Sequence, residues 1–177
     1  MNCLHTGGAH GGDKHFESLA ERLGHDIKRY HFDGHKSTRV EVLSHGTSKY
    51  EQLEISKNDM QRCSMDLENA ALLLGEDLVY TGYQRHLLER DWILVHKSKA
   101  LFLYAIGHFD EKGQVQGGTG WIIELFKSLN KSIYFHCEET NQNYTWKENT
   151  WIKMDKKPLP PYGNWIGVGT RTHEEEE

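Results

Sequence analysis

Gly7-Gly8-Ala9-His10-Gly11-Gly12-Asp13 and Gly117-Gly118-Thr119-Gly120 are the stretches of this chain best suited to chemistry. Glycine reaches positive φ and lets backbone N–H groups come close to a ligand. Each cluster sits between an apolar, strand-like run and a helical pattern. The first turn of a helix has unpaired N–H groups and the positive end of the dipole, so it favours an anion, usually phosphate. Neither cluster is a Walker loop, because no Gly-Lys-Ser/Thr follows, and the first does not match G-x-G-x-x-G. One such loop could be only a tight turn. Two at corresponding points of one domain point to a phosphorylated ligand. The expected lining is Thr6, Gly7, Gly8, Ala9, His10, Gly11, Gly12 and Asp13, with Gly117, Gly118, Thr119, Gly120 and Trp121.

Several of these side chains have a second reading. Asp13 can touch the ligand or serve its own helix dipole. The Thr119 hydroxyl can cap a helix or donate to phosphate, and Trp121 can stack on a base or fill the core. Twelve histidines invite a metal hypothesis, but they are scattered singly, and His31 and His35 come nearest to ligand spacing. No metal and no cofactor are expected.

The elements that must hold the loops follow from periodicity. Phe16, Leu19, Ala20 and Leu23 share one helical face, and Gly24 stands where a helix would end. Asp26 to Phe32 reads as a strand, so the chain opens as strand, glycine loop, helix, strand. Further helices are expected over about 57–74 and 81–96, the second burying Leu87, Leu88, Trp92 and Val95. Ala100 to Ile106 is a continuous apolar run, the mark of a strand covered on both faces. A polar segment from Gly107 to Gln116, a possible lid or a surface loop, leads to the second glycine cluster. Ile122, Leu125, Phe126 and Leu129 then mark a helix, and Ser132 to Cys137 a strand. Weaker strand candidates are Tyr144-Thr145-Trp146, Trp151-Ile152-Lys153 and Trp165-Ile166-Gly167-Val168. All three prolines lie in Pro158-Leu159-Pro160-Pro161, which punctuates the end of the main body. The expected fold is α/β, a Rossmann-like three-layer sandwich with a mostly parallel central sheet.

At 177 residues one domain suffices, and no metal or disulfide staple is required. A net charge of −5 disfavours sequence-independent nucleic-acid binding, which depends on Lys and Arg. Part of that charge is Glu174 to Glu177, a solvated acidic tail over 172–177. Cys3, Cys63 and Cys137 are odd in number and lack metal spacing, which suits a reducing compartment. No apolar run approaches membrane-spanning length, and no secretory leader is evident. A cytoplasmic protein without a membrane partner is expected.

The loops and their surroundings resemble the SLOG superfamily, named for the Smf/DprA and Lonely-guy proteins, and within it the YspA/YpsA-related branch of phages and bacteria. Residues 6–13 are similar to that branch's T-G-G-A-x-G-A-D, with Gly12 in place of Ala. Phe32-Asp33-Gly34-His35-Lys36 resembles F-x-G-H. Leu87-Leu88-Glu89-Arg90-Asp91-Trp92 resembles L-L-x-R-N-W, and residues 115–121 match V-x-G-G-T-G-W. Ile166-Gly167-Val168-Gly169-Thr170-Arg171 resembles the terminal G-I-G-S/T-R. The likeness runs over 1–171 as a single nucleotide-binding domain.

The resemblance implies a nucleotide-derived ligand on the two loops, such as an ADP-ribose-type or cyclic nucleotide second messenger, sensed or sequestered. A viral origin would favour sequestering a host signal. It also implies a rival function. Lonely-guy enzymes cleave the N-glycosidic bond of a nucleoside monophosphate with an Arg and the Glu of P-G-G-x-G-T-x-x-E, and Arg90 and Glu124 match those positions. Glu124 could stabilise positive charge on the sugar while orienting water, and Arg90 could hold phosphate. The bland readings are a solvated Glu124 and an Arg90 ion-paired to Asp13 or Glu124. Gln116, Trp121, Asp91 and Lys99 all depart from the enzyme pattern. Relatives commonly self-associate, so a homodimer is expected, with Leu87, Leu88 and Trp92 as candidate contacts.

Overall fold

The computed structural model describes residues 2–7, 12–31, 50–55, 63–76, 78 and 82–169. Strand β1 (Cys3–Thr6) leads to helix α1 (Gly12–Leu23) and strand β2 (Asp26–His31). Strand β3 (Tyr50–Glu54) precedes helices α2 (Ser64–Leu74) and α3 (Gly82–Lys97). Strand β4 (Phe102–Gly107), helix α4 (Gly117–Lys127) and strand β5 (Ser132–Cys137) form a second βαβ unit. Strands β6 (Gln142–Lys147), β7 (Thr150–Lys153) and β8 (Asn164–Gly169) complete the fold.

The described strands form one sheet of eight in the order β3-β2-β1-β8-β4-β5-β6-β7. From β3 to β5 every pairing is parallel, and β6 and β7 add an antiparallel hairpin. The expected mostly parallel α/β sandwich is the observed one. Alternation along the strands splits the core. Leu4, Ile27, Tyr104, Ile106 and Trp165 meet Phe16 and Ala20 of α1 on one face. Leu103, Ala105, Ile166, Val168, Ile133 and Phe135 meet α2, α3 and α4 on the other. β4 is apolar without a break because both of its faces are covered.

Local signals placed most boundaries. α1 ends at Gly24, whose φ of 73° is the left-handed conformation that stops a helix. α3 lies within one residue of its expected span, while the described part of the preceding helix begins only at Ser64. The chain from Trp165 to Val168, a weak strand candidate, is a central strand between β1 and β4. The proline cluster therefore does not close the main body. It lies in a strap that returns the chain from the sheet edge to its middle. The Tyr104 hydroxyl donates to the Leu159 carbonyl (2.8 Å), and Tyr162 packs edge-on against Phe102 (4.9 Å). Tyr50–Glu54 is a strand outside the elements that periodicity predicts.

α1 is pinned by charge as well as packing. Arg29, fully buried on β2, donates from Nε and Nη2 to the two Glu17 carboxylate oxygens (2.9 and 2.8 Å), and the Tyr50 hydroxyl donates to Oε1 (3.0 Å). In α3, Leu88 is buried, while Leu87 and Trp92 pack against the core and the Trp92 indole donates to Asp66 (2.6 Å). Among the described residues of this layer, the large exposed apolar side chains are Met65, Leu72 and Leu73 on α2.

Candidate functional site at the carboxyl edge of the sheet

β1, β8 and β4 run parallel as neighbours, so Thr6, Gly169 and Gly107 end on one edge of the sheet. From β1 the chain proceeds outward to β2 and β3, and from β4 it proceeds the opposite way to β5. The edge between them is a topological switch point, the place where open α/β sheets take ligands. With β8 between them, β1 and β4 stand two strand spacings apart, about 10 Å.

At the first loop, the Thr6 hydroxyl is buried and donates to the Gly167 carbonyl (3.0 Å), so it joins β1 to β8. A Cβ on Gly7 would lie 2.0 Å from Nη1 of Arg90, which makes glycine a packing requirement here. Arg90 is itself buried. Its Nη1 donates to the Gly7 carbonyl (3.3 Å), and Nε and Nη2 donate to Oδ1 of Asp91 (3.1 and 2.8 Å). The buried Asp13 carboxylate accepts the Gly169 N–H (2.8 Å), tying the first turn of α1 to the end of β8. Gly12 opens α1, whereas Gly8, Ala9, His10 and Gly11 lie outside the described residues, as do His35 of the F-x-G-H segment, Thr170, Arg171 and 172–177.

At the second loop, Gln116 is extended, Gly117 has φ 69°, and no side chain caps α4. Among the described residues a Cβ on Gly118 would meet nothing within 4 Å, but one on Gly120 would meet the Val115 carbonyl oxygen at 2.0 Å. One glycine is open to its surroundings and the other is locked against the incoming chain. Thr119 is buried. Trp121 takes the core alternative, with its indole N–H donating to Glu76 at the end of α2 (2.8 Å).

The segment before this loop is a fastened hairpin. Phe109 bridges to Val115, the Asp110 carboxylate accepts the N–H groups of Lys112 and Gln114 (both 2.9 Å), and Phe109 packs on Phe135, Tyr144 and Trp151.

Arg90 and Glu124 share no contact. Arg90 serves the first loop, while Glu124 pairs with Lys127 (2.5 Å), whose ammonium lies 3.6 Å from the Trp146 ring centroid. Glu124 and Lys127 line adjoining cavities of about 1130 and 390 Å³ between α4, the 108–116 hairpin and β6–β7. Of the described glycine-loop residues, Gly120 alone borders them, on the smaller cavity. The pairing of Arg90 found in the structure is with Asp91, not with Asp13 or Glu124.

One further charged residue stands at this edge outside every motif. Glu138 directly follows β5, and its carboxylate lies 3.4 Å from Nε2 of His108, which directly follows β4. The available signal was an acid about 20 residues past a glycine run and just beyond the next strand. Among the described residues, no group of His, Cys, Asp and Glu could hold a metal, and no helix is long and apolar enough to cross a membrane. Comparison with protein-family models, curated proteins and solved structures gave no match.

Proposed function

We propose that the protein binds and holds a phosphorylated nucleotide-derived ligand, of the ADP-ribose or cyclic nucleotide kind, across the two glycine loops. One observation carries the reading: β1 and β4, each leading to a helix that opens on glycine, end at a single switch-point edge, and the second helix leaves Gly118 open to the described residues beside an uncapped start. Backbone N–H groups there can surround phosphate without a side chain in the way.

Holding is favoured over cleavage by the partners of the two candidate catalytic groups. Arg90 is committed to Asp91 and Gly7, and Glu124 to Lys127 in a groove that Arg90 does not line. Native mass spectrometry of the purified protein tests binding, with a retained nucleotide mass as the expected result. Prolonged incubation should return that nucleotide unchanged; free base with ribose phosphate would establish the ribohydrolase instead. Self-association belongs to the same reading. It would draw on the exposed Met65, Leu72 and Leu73 of α2, since Leu88 of α3 is buried. Light scattering showing only monomer at micromolar concentration would retire it.

A further inference from the structure

We infer that Glu138, positioned by His108, reads the ribose of the ligand, so that the second loop takes a ribonucleotide whose 2′- and 3′-hydroxyls are both free. The inference rests on the phosphate-binding reading above. β4, the glycine run, α4 and β5 form one mononucleotide-binding unit, with β4 and β5 adjacent and parallel. In such units phosphate sits at the helix start, and an acid about 20 residues on, at the end of the second strand, accepts the ribose hydroxyls. Glu138 occupies that place: it is the first residue after β5 and follows Gly117–Gly120 at that distance.

Contacts fasten the three parts together. The Glu138 N–H donates to the carbonyl of Gly107, the last residue of β4 (3.0 Å). The next residue, His108, accepts through its carbonyl the N–H of Gln116 (2.9 Å), directly before Gly117. Its imidazole stands 3.4 Å from the Glu138 carboxylate, and both side chains keep part of their surface in solvent, 36% and 21%. Glu138 is thus held at the edge with part of its side chain in solvent.

The chemistry selects the ligand class. A vicinal diol offers two O–H donors, and a carboxylate is an acceptor-only group with two oxygens to receive them. Such charge-assisted bonds are the stronger kind. A 2′-deoxy ligand loses one of them, and a 2′-phosphate brings like charge to the carboxylate. A pair that merely stapled two strand ends would contribute little and would not distinguish sugars.

Calorimetric titration of the full chain uses four probes: ADP, 2′-deoxy-ADP, ribose 5-phosphate and 2-deoxyribose 5-phosphate. The last pair removes any dependence on the base. Wild type should prefer the ribo member of a pair by roughly tenfold to a hundredfold, the scale of a hydrogen bond to a charged group. Glu138→Ala should erase that preference while binding the deoxy member as before, and His108→Ala should reduce it. Equal binding of ribo and deoxy probes by wild type overturns the ribose assignment and leaves phosphate binding standing. A preference that survives in Glu138→Ala, its fold verified by circular dichroism, overturns it as well. Binding of none of the probes defeats the phosphate reading, and this inference with it.

Discussion

The guanidinium of Arg90 occupies the space where residue 7 would carry a side chain: Nη1 lies 2.0 Å from the position of a Cβ on Gly7. The first loop is therefore shaped by a residue of α3, 83 positions along the chain, whose guanidinium also donates to the Gly7 carbonyl.

Gly7→Ala should force that buried guanidinium aside. The expected cost is about 1–3 kcal/mol, the usual range for overpacking. Arg90→Ala should also destabilise, because it removes a partner from the buried Asp91. The two effects should not add: in an Arg90→Ala background Gly7→Ala should cost much less. Chemical denaturation of the four proteins of this cycle measures the coupling, and simple additivity would show that the two residues do not compete for one space.

Gly118 and Gly120 separate ligand contact from packing. Gly118→Val enters open space, so the fold should survive, while phosphate approach is blocked. Affinity for a nucleotide that wild type retains should fall at least about a hundredfold, roughly 2.7 kcal/mol. Gly120→Ala instead meets the Val115 carbonyl and should lower stability by about 1–3 kcal/mol. Equal nucleotide binding by folded Gly118→Val and wild type would show that phosphate does not use this loop.

The parts of the fold legible in the sequence were those decided locally. The apolar run of β4, the face of α1 containing Phe16 and Ala20, and the turn at Gly24 depend on neighbours within a few residues. The central position of β8 does not, since it is set by pairing with β1 and β4, far away in the chain. The site divides in the same way. Glycine at 117–120 announces a turn by itself, but the commitment of Trp121 to Glu76 appears only once α2 packs on α4. Glu138 has no local signature, because one acid after a strand is common; the contact with His108 and the parallel β4–β5 pairing set it at the edge.

Two buried imidazoles should make the fold acid-sensitive. Burial lowers the pKa of both His5 and His25 below the usual 6.5, an effect partly opposed by Asn164 at His5 and by Asp26 at His25. The unfolded chain then binds more protons than the native one as the pH drops. Their stabilising contribution is complete above about pH 6.5 and is lost as the pH falls through the lowered values. His25 adds a specific reason, because its Nδ1 accepts the Trp165 indole N–H (3.1 Å) and cannot do so when protonated. Tm should fall between pH 7 and pH 5, and less steeply in His25→Gln, which keeps an acceptor without titrating there. An equally steep fall in that variant would remove His25 from the account.

Glu124 decides between holding a nucleotide and cleaving it. A hydrolase needs this carboxylate beside the sugar carbon, with Arg90 on the phosphate, and a positioned acid or base is worth about 10² to 10⁴ in turnover. Here Glu124 is paired to Lys127, and Lys127 is drawn over Trp146. Removing the carboxylate should therefore disturb the α4–β6 groove rather than ligand chemistry. Glu124→Gln should retain nucleotide as wild type does, and neither protein should release base from a panel of nucleoside monophosphates. The variant should instead show altered Trp fluorescence, because its amide no longer anchors the Lys127 ammonium against the indole. Release of base and ribose phosphate by wild type, lost in Glu124→Gln, would mean that the groove rearranges on binding to bring Glu124 to the sugar, and the protein would then be a ribohydrolase.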